Sequence, residues 1–121
     1  MAFKSLRQIT PIFNRKKLDK LLKNLKKPGL HDEVKRNTVR LLQHLEIPEK
    51  HEGAVMEICF GYLESTKEAV AVKAFAINTL ARLAKKYPEI SPEVRLLIED
   101  QMAHQSAAFR ISAWRFLKAF S

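Results

Sequence analysis

The chain has 121 residues, 46% of them apolar and 29% charged, with only three glycines and five prolines. This composition is typical of one globular domain with its own core, and it argues against a disordered or all-β chain. The longest stretch without a charged residue, Gln101 to Phe109, is too short to span a membrane, so we expect no membrane segment. A single cysteine excludes an internal disulfide and favours a reducing compartment, which predicts a cytoplasmic protein.

The net charge of +9 belongs to the N-terminal third. Residues 1–40 hold twelve basic and three acidic residues, whereas residues 41–121 hold ten of each. On a helix, Lys16, Lys20, Lys23 and Lys27 would share one face. A continuous basic face of this kind fits a nucleic-acid phosphate backbone. The solvated face of a terminal helix, or a site for an acidic protein, accounts for the same charge.

Apolar residues recur at helical spacing between the prolines, and this pattern predicts an all-α chain. Ser65 and Glu68 have the spacing of a capping box at the start of the fourth helix. The predicted helices lie near residues 14–27, 31–46, 48–65, 67–87, 92–103 and 106–120.

The chain also repeats itself at an interval of 37 or 38 residues. Thr38, Ala76 and Ala113 align at the centre of every second helix, where short side chains allow two helices to approach closely. A unit of this length cannot bury its apolar face alone, so it stacks on copies of itself. We therefore predict a right-handed α-α superhelix (a solenoid) of about three antiparallel helix hairpins. They lie near 14–46, 48–87 and 92–120, in a domain over 14–121 that follows an N-terminal segment, 1–13.

The second helix of each repeat carries a short motif, beginning Val34-Lys35, Val72-Lys73 and Phe109-Arg110 and reaching a small residue three positions later. These motifs resemble the Val-Arg-x-x-Ala signature of HEAT repeats, which are armadillo-like helical repeats. The resemblance implies a binding scaffold. HEAT repeats usually also have an Asp about five residues before the Val. Here those places hold Gly29, Lys67 and His104, so a ladder of basic residues would need other acceptors.

The residues that catalysis would need are scarce. Cys59 aligns with Leu21 and Leu97, which predicts a buried, unreactive thiol. The four histidines lack the spacing of metal ligands, and the glycines form no phosphate loop. We therefore expect no enzyme activity, metal or cofactor. A remote relation to helical-repeat DNA glycosylases is a further alternative, although Trp114 aligns with Val39 and Ile77 and is expected to pack in the core.

Binding is the more promising function. Solenoids usually bind through the surface of their second helices, and most candidates there are basic. A scaffold for protein–protein interaction, with an acidic partner, is the predicted function, and binding of a nucleic-acid backbone by the N-terminal helix is the alternative. The candidate residues on the second helices are Lys35, Arg36, Arg40, Lys73, Arg110 and Arg115, with Gln43, Asn78 and Lys118 beside them.

The last helix is apolar on nearly all sides, although the end of a solenoid normally presents a polar face. Ile111, Trp114, Phe116 and Phe120 therefore predict self-association, as a homodimer through the C-terminal helix. Two alternatives to a dimer stay open. The N-terminal segment could cover this helix, or another protein could.

Overall fold

The computed structural model of the protein describes residues 18–25, 29 and 32–120, and within these ranges the chain is helical and contains no strand. This confirms the all-α class. The six helices, in chain order, are α1 (Leu18–Leu25), α2 (Asp32–Leu42), α3 (Glu49–Glu64), α4 (Val70–Lys86), α5 (Ser91–Gln101) and α6 (Ala107–Ala119). Short 3-10 turns, Pro88–Ile90 and Met102–His104, precede α5 and α6.

Local chemistry explains several helix ends. α3 begins directly after Pro48, and Glu49 and Glu52 lie in its first turn, where their charges complement the helix dipole. At its other end, α4 carries Lys85 and Lys86 in the last turn, which complements the dipole again. The following Pro88 cannot continue that helix and instead opens a 3-10 turn.

The predicted capping box at Ser65 and Glu68 is wrong. Ser65 ends α3, and its hydroxyl accepts a hydrogen bond from the backbone N–H of Lys67 at 3.2 Å. α4 begins later than expected, after Ala69, which makes no side-chain cap. The serine therefore closes one helix instead of opening the next.

The helices contact one another along two rows. The first row joins α1 to α3 and α3 to α5; the second joins α2 to α4 and α4 to α6. α4 also packs on α3 and α5, and more than half of its residues are buried. All three small residues of the repeat, Thr38, Ala76 and Ala113, are buried as predicted.

Repeat-equivalent positions differ in burial at the two edges of the second row. Val34 is 49% exposed, although its repeat equivalents Val72 and Phe109 are buried. Trp114 is 70% exposed, although Val39 and Ile77 are fully buried, so the prediction that Trp114 packs in the core is wrong. The reason is the same for both. Among the described helices, none packs on the outward side of α2 or of α6.

Ala76 tests this packing, because it lies fully buried in α4. Ala76→Leu adds volume to a filled core and should lower the free energy of unfolding by ~1–3 kcal/mol. Denaturant unfolding followed by circular dichroism measures the change. Ala108→Leu, at an exposed position of α6, is the matched control and should unfold like the wild type. Equal stability of the two variants would contradict the helix pairing.

Candidate binding surface

Lys35, the basic residue of the first repeat motif, bonds to the following repeat. Its Nζ lies 3.1 Å from Oε2 of Glu68, in the turn between α3 and α4. The ion pair is largely buried, with 19% of the lysine side chain and 9% of the glutamate side chain exposed. The same Nζ lies 5.4 Å from the centre of the Tyr62 ring. Lys35 therefore joins α2 to the next turn and has little surface left for a partner.

Lys73, the equivalent residue in α4, is only 3% exposed. Its Nζ donates to the backbone oxygen of Leu63 at 3.3 Å and to the side-chain oxygen of Gln101, at the end of α5. Gln101 in turn donates to the Leu63 oxygen at 2.6 Å. Burial lowers the pKa of Lys73, against a smaller opposing effect of the Glu68 charge. Lys73 is therefore an internal residue, and its assignment to a binding surface is corrected.

Arg110, the third basic residue of the series, is exposed on α6. Its Nε donates to the backbone oxygen of Met102 at 3.4 Å, which parallels the bond from Lys73 to Leu63. In the preceding repeats, Lys35 and Lys73 also donate to an acceptor side chain in or beside the turn of the next repeat, Glu68 and Gln101. Within the described residues, no such turn lies beyond α6.

The remaining basic candidates lie on the surface. Arg36 and Arg40 are exposed on α2, and Arg115 is exposed on α6. Lys20 and Lys23 are exposed on α1, while Lys16 and Lys27 lie outside the described residues. Of the four lysines predicted to form the basic face, the structure therefore describes two, and both are exposed.

Asn78 and Arg82 of α4 connect α4 to the end of α2 by hydrogen bonds. They lie outside the repeat motif whose basic residues are Lys35, Lys73 and Arg110. The amide of Asn78 donates to the side-chain oxygen of Gln43 at 2.8 Å. One Nη of Arg82 donates to the backbone oxygens of Gln43 and Leu45 at 2.6 and 2.7 Å. These bonds satisfy carbonyls that the end of a helix leaves open. No sequence pattern predicted the Arg82 contact, because the acceptors are backbone atoms.

Charge is segregated among the helices α3 to α6. The second helices α4 and α6 carry seven basic residues and no acidic one, whereas the first helices α3 and α5 carry seven acidic and two basic residues. Residues 41–121 are neutral as a whole, so the sum of charges conceals this polarity. Among these four helices the first-row helices are thus acidic and the second-row helices basic, whereas α2 of the second row also carries Asp32 and Glu33.

The predicted self-association residues separate into two groups. Ile111 and Trp114 are exposed by 55% and 70%, and with Arg110 and Arg115 they line a shallow groove of about 350 Å³. Phe116 is 1% exposed and Phe120 is half-buried; the centres of their rings are 4.6 Å apart. Phe116 therefore belongs to the core, and its assignment to the self-association surface is wrong.

Glu52 forms a polar cluster at the base of the α3–α4 pair. It accepts a hydrogen bond from the Tyr87 hydroxyl at 2.6 Å, and its carboxylate lies 3.1 Å from Nζ of Lys86. The Tyr87 bond and the Lys86 charge lower the pKa of Glu52, more than burial raises it. The same bond raises the pKa of Tyr87, because it favours the neutral phenol. The cluster joins the start of α3 to the end of α4.

Two further features bear on chemistry. Cys59 is fully buried, and burial raises the pKa of its thiol to about 12. In the described part of the chain, no group of histidine, cysteine and carboxylate side chains has the arrangement of a metal site.

None of the helices within the described ranges has the length and apolarity of a membrane span.

A family model described as a HEAT repeat domain matches residues 2–120 of the chain. The chain belongs to the HEAT repeat family. Searches of curated proteins and of solved structures found no match.

The HEAT assignment explains why basic residues recur at Lys35, Lys73 and Arg110. In this HEAT domain the usual Asp positions hold Gly29, Lys67 and His104, and the acceptors have moved to Glu68 and Gln101. Gly29 has a φ of +75°, in the left-handed region that favours glycine. One signal for the relocated acceptors was present in the sequence. Gln101 interrupts a core position that Leu25 and Leu63 occupy in the other repeats.

The Glu52 cluster predicts how stability depends on pH. The pKa of Glu52 is lower in the folded state than its ordinary value of 4.5, so its ionised form stabilises the fold above that value. This contribution is lost as the pH falls through the folded pKa. Glu52→Gln should melt below the wild type near pH ~7, and the difference should shrink as the pH falls towards ~3.

Thermal melts over that pH range measure the effect. Glu57→Gln is the matched control, because Glu57 lies exposed on the same helix. A constant gap between Glu52→Gln and the wild type at every pH would contradict the contacts of the ionised carboxylate with Tyr87 and Lys86.

Proposed function

We propose that this HEAT repeat protein is a non-catalytic scaffold that binds an acidic protein partner on the side of its second helices. The charge segregation carries the proposal, because α4 and α6 hold basic residues alone among their charged residues. A basic surface attracts acidic partners and repels basic ones, which gives both speed and specificity of association. The three hairpins form a right-handed stack in this proposal, with the second helices lining its inner curve.

Arg40 and Arg115 are the residues best placed for this role. They occupy equivalent repeat positions on α2 and α6, with Asn78 between them on α4. Both arginines are exposed, whereas Lys35 and Lys73 are engaged inside the fold. An acidic segment lying across the second helices would meet the two guanidinium groups in turn.

The absence of catalysis is part of the proposal. The buried Cys59 thiol, with its raised pKa, supports it, because only an accessible thiolate is a good nucleophile. A thiol reagent should therefore label Cys59 slowly in the native protein and fast after unfolding. Fast labelling of the native protein would contradict this. The same single, buried thiol supports a cytoplasmic location for the protein.

Binding of a nucleic-acid backbone is the second candidate, favoured by the charge excess of residues 1–40. Its mechanism is counterion release, which requires a strong dependence on salt and little dependence on base sequence. It would use Lys20 and Lys23 together with Lys16 and Lys27, all distant in sequence from Arg115.

One capture experiment separates the two candidates. The wild type, the double variant Arg40→Glu with Arg115→Glu, and a Lys50→Glu control on the exposed face of α3 are compared as baits in cell lysate with and without nuclease. We expect nuclease-resistant capture of an acidic protein by the wild type and the control, and its loss with the double variant. Capture that nuclease abolishes, and that changing Lys16, Lys20, Lys23 and Lys27 to Gln also abolishes, would replace the scaffold by the nucleic-acid function.

A further inference from the structure

The outward face of α6 exposes large apolar residues at repeat positions that are buried in α4. Ile111 and Trp114 stand at repeat positions that Ala74 and Ile77 hold in α4, the helix on which α6 packs, and there the exposed fractions are only 6% and 0%. Val39 of α2, equivalent to Trp114, is likewise fully buried beside α4. An exposed pair of large apolar residues at such positions marks an interaction site.

The polar contacts of the preceding repeats indicate what completes this face. Lys35 on α2 bonds to Glu68, and Lys73 on α4 bonds to Gln101. Each acceptor lies in or beside the turn that leads into the next second helix along the row: Glu68 before α4, and Gln101 before α6. By the same rule, Arg110 of α6 calls for an acceptor oxygen at the start of a helix packed on Ile111 and Trp114.

Charge selects among the possible occupants. A second copy packed helix against helix about a two-fold axis would bring together two copies of α6, which has three basic residues and no acidic one. Arg110 and Arg115 flank the apolar pair, so that dimer would set like charges against each other around the contact. The groove therefore suits a helix that is apolar on one side and acidic around it.

We propose that the α6 face, formed by Arg110, Ile111, Trp114 and Arg115, is an end-on docking site for an acidic amphipathic helix of another protein. That helix packs its apolar side on Ile111 and Trp114 and places a carboxylate, at its N-terminal end, on Arg110. Arg115 takes a second carboxylate on the other flank of the groove. The site shares Arg115 with the surface that runs from Arg40 to Arg115 across the second helices, and it differs from that surface because it requires the two apolar residues.

The probe is a dye-labelled, hydrocarbon-stapled helix peptide. It carries Phe, Ala and Phe at the spacing of Phe109, Ala113 and Phe116, which pack α6 itself into the protein, and Glu or Ala elsewhere. Its matched partner has Lys in place of every Glu. Fluorescence anisotropy with the full chain should show saturable binding of the Glu peptide and none of the Lys peptide.

Variants then locate the site. Ile111→Asp and Arg110→Glu should each weaken binding of the Glu peptide at least about tenfold, whereas the control Lys50→Glu, at an exposed position of α3, should leave it unchanged. Circular dichroism confirms that each variant stays folded, which exposed positions permit. Peptide binding that these variants weaken, in a protein whose wild type captures no acidic protein from lysate, would overturn the proposed function alone.

Several results would overturn the docking proposal. They are equal binding of the Glu and Lys peptides, no binding of either, or a self-associated protein in sedimentation that Ile111→Asp returns to a monomer. The last of these would assign the face to a second copy of the chain. Binding of a labelled oligonucleotide that Arg110→Glu abolishes would assign it to a nucleic acid.

Discussion

The structure depends on mutual cover between neighbouring second helices. α4 lies between α2 and α6 and packs on α3 and α5 as well, so that its apolar residues are buried on more than one side. Among the described helices, none packs on the outward side of α2 or of α6, and each of the two leaves an apolar residue exposed there: Val34 on α2, and Trp114 on α6. A helical repeat is stabilised by its neighbours and not by itself, so an edge is also where a partner gains most by binding.

The polar contacts between repeats follow the same logic. A lysine side chain on a second helix loses its hydration when it is buried against the next repeat. A buried charge without a partner is costly, so the lysine needs an acceptor there. Glu68 satisfies Lys35 with a charge, whereas Gln101 satisfies Lys73 with a neutral amide that also holds the Leu63 carbonyl. Lys35 and Lys73 thus remain paired in this HEAT domain although the usual aspartate is absent. The acceptor need only lie in or beside the turn and not at one fixed position.

Acidic and basic residues are divided between neighbouring helices in α3 to α6. The acidic residues of α3 and α5 and the basic residues of α4 and α6 cancel in the total, yet lie on different rows of helices. Surface charge of this kind contributes little to stability but steers association and excludes partners of the wrong sign. The proposed scaffold function and the proposed docking of an acidic helix on α6 both depend on these basic residues, and Arg115 takes part in both.

The sequence alone determined the all-helical class, the HEAT family and the small core position at Thr38, Ala76 and Ala113, because helical period and repeat spacing are local properties of the chain. It also placed Cys59 in the core, since its repeat equivalents are leucines. Tertiary structure decided the rest. Whether Val34, Trp114 or Phe116 is buried depends on which helix lies beside it, and whether Lys35, Lys73 or Arg40 is available depends on an acceptor in another repeat. Neither can be read from a residue and its neighbours in sequence, because burial and pairing are properties of the packed stack.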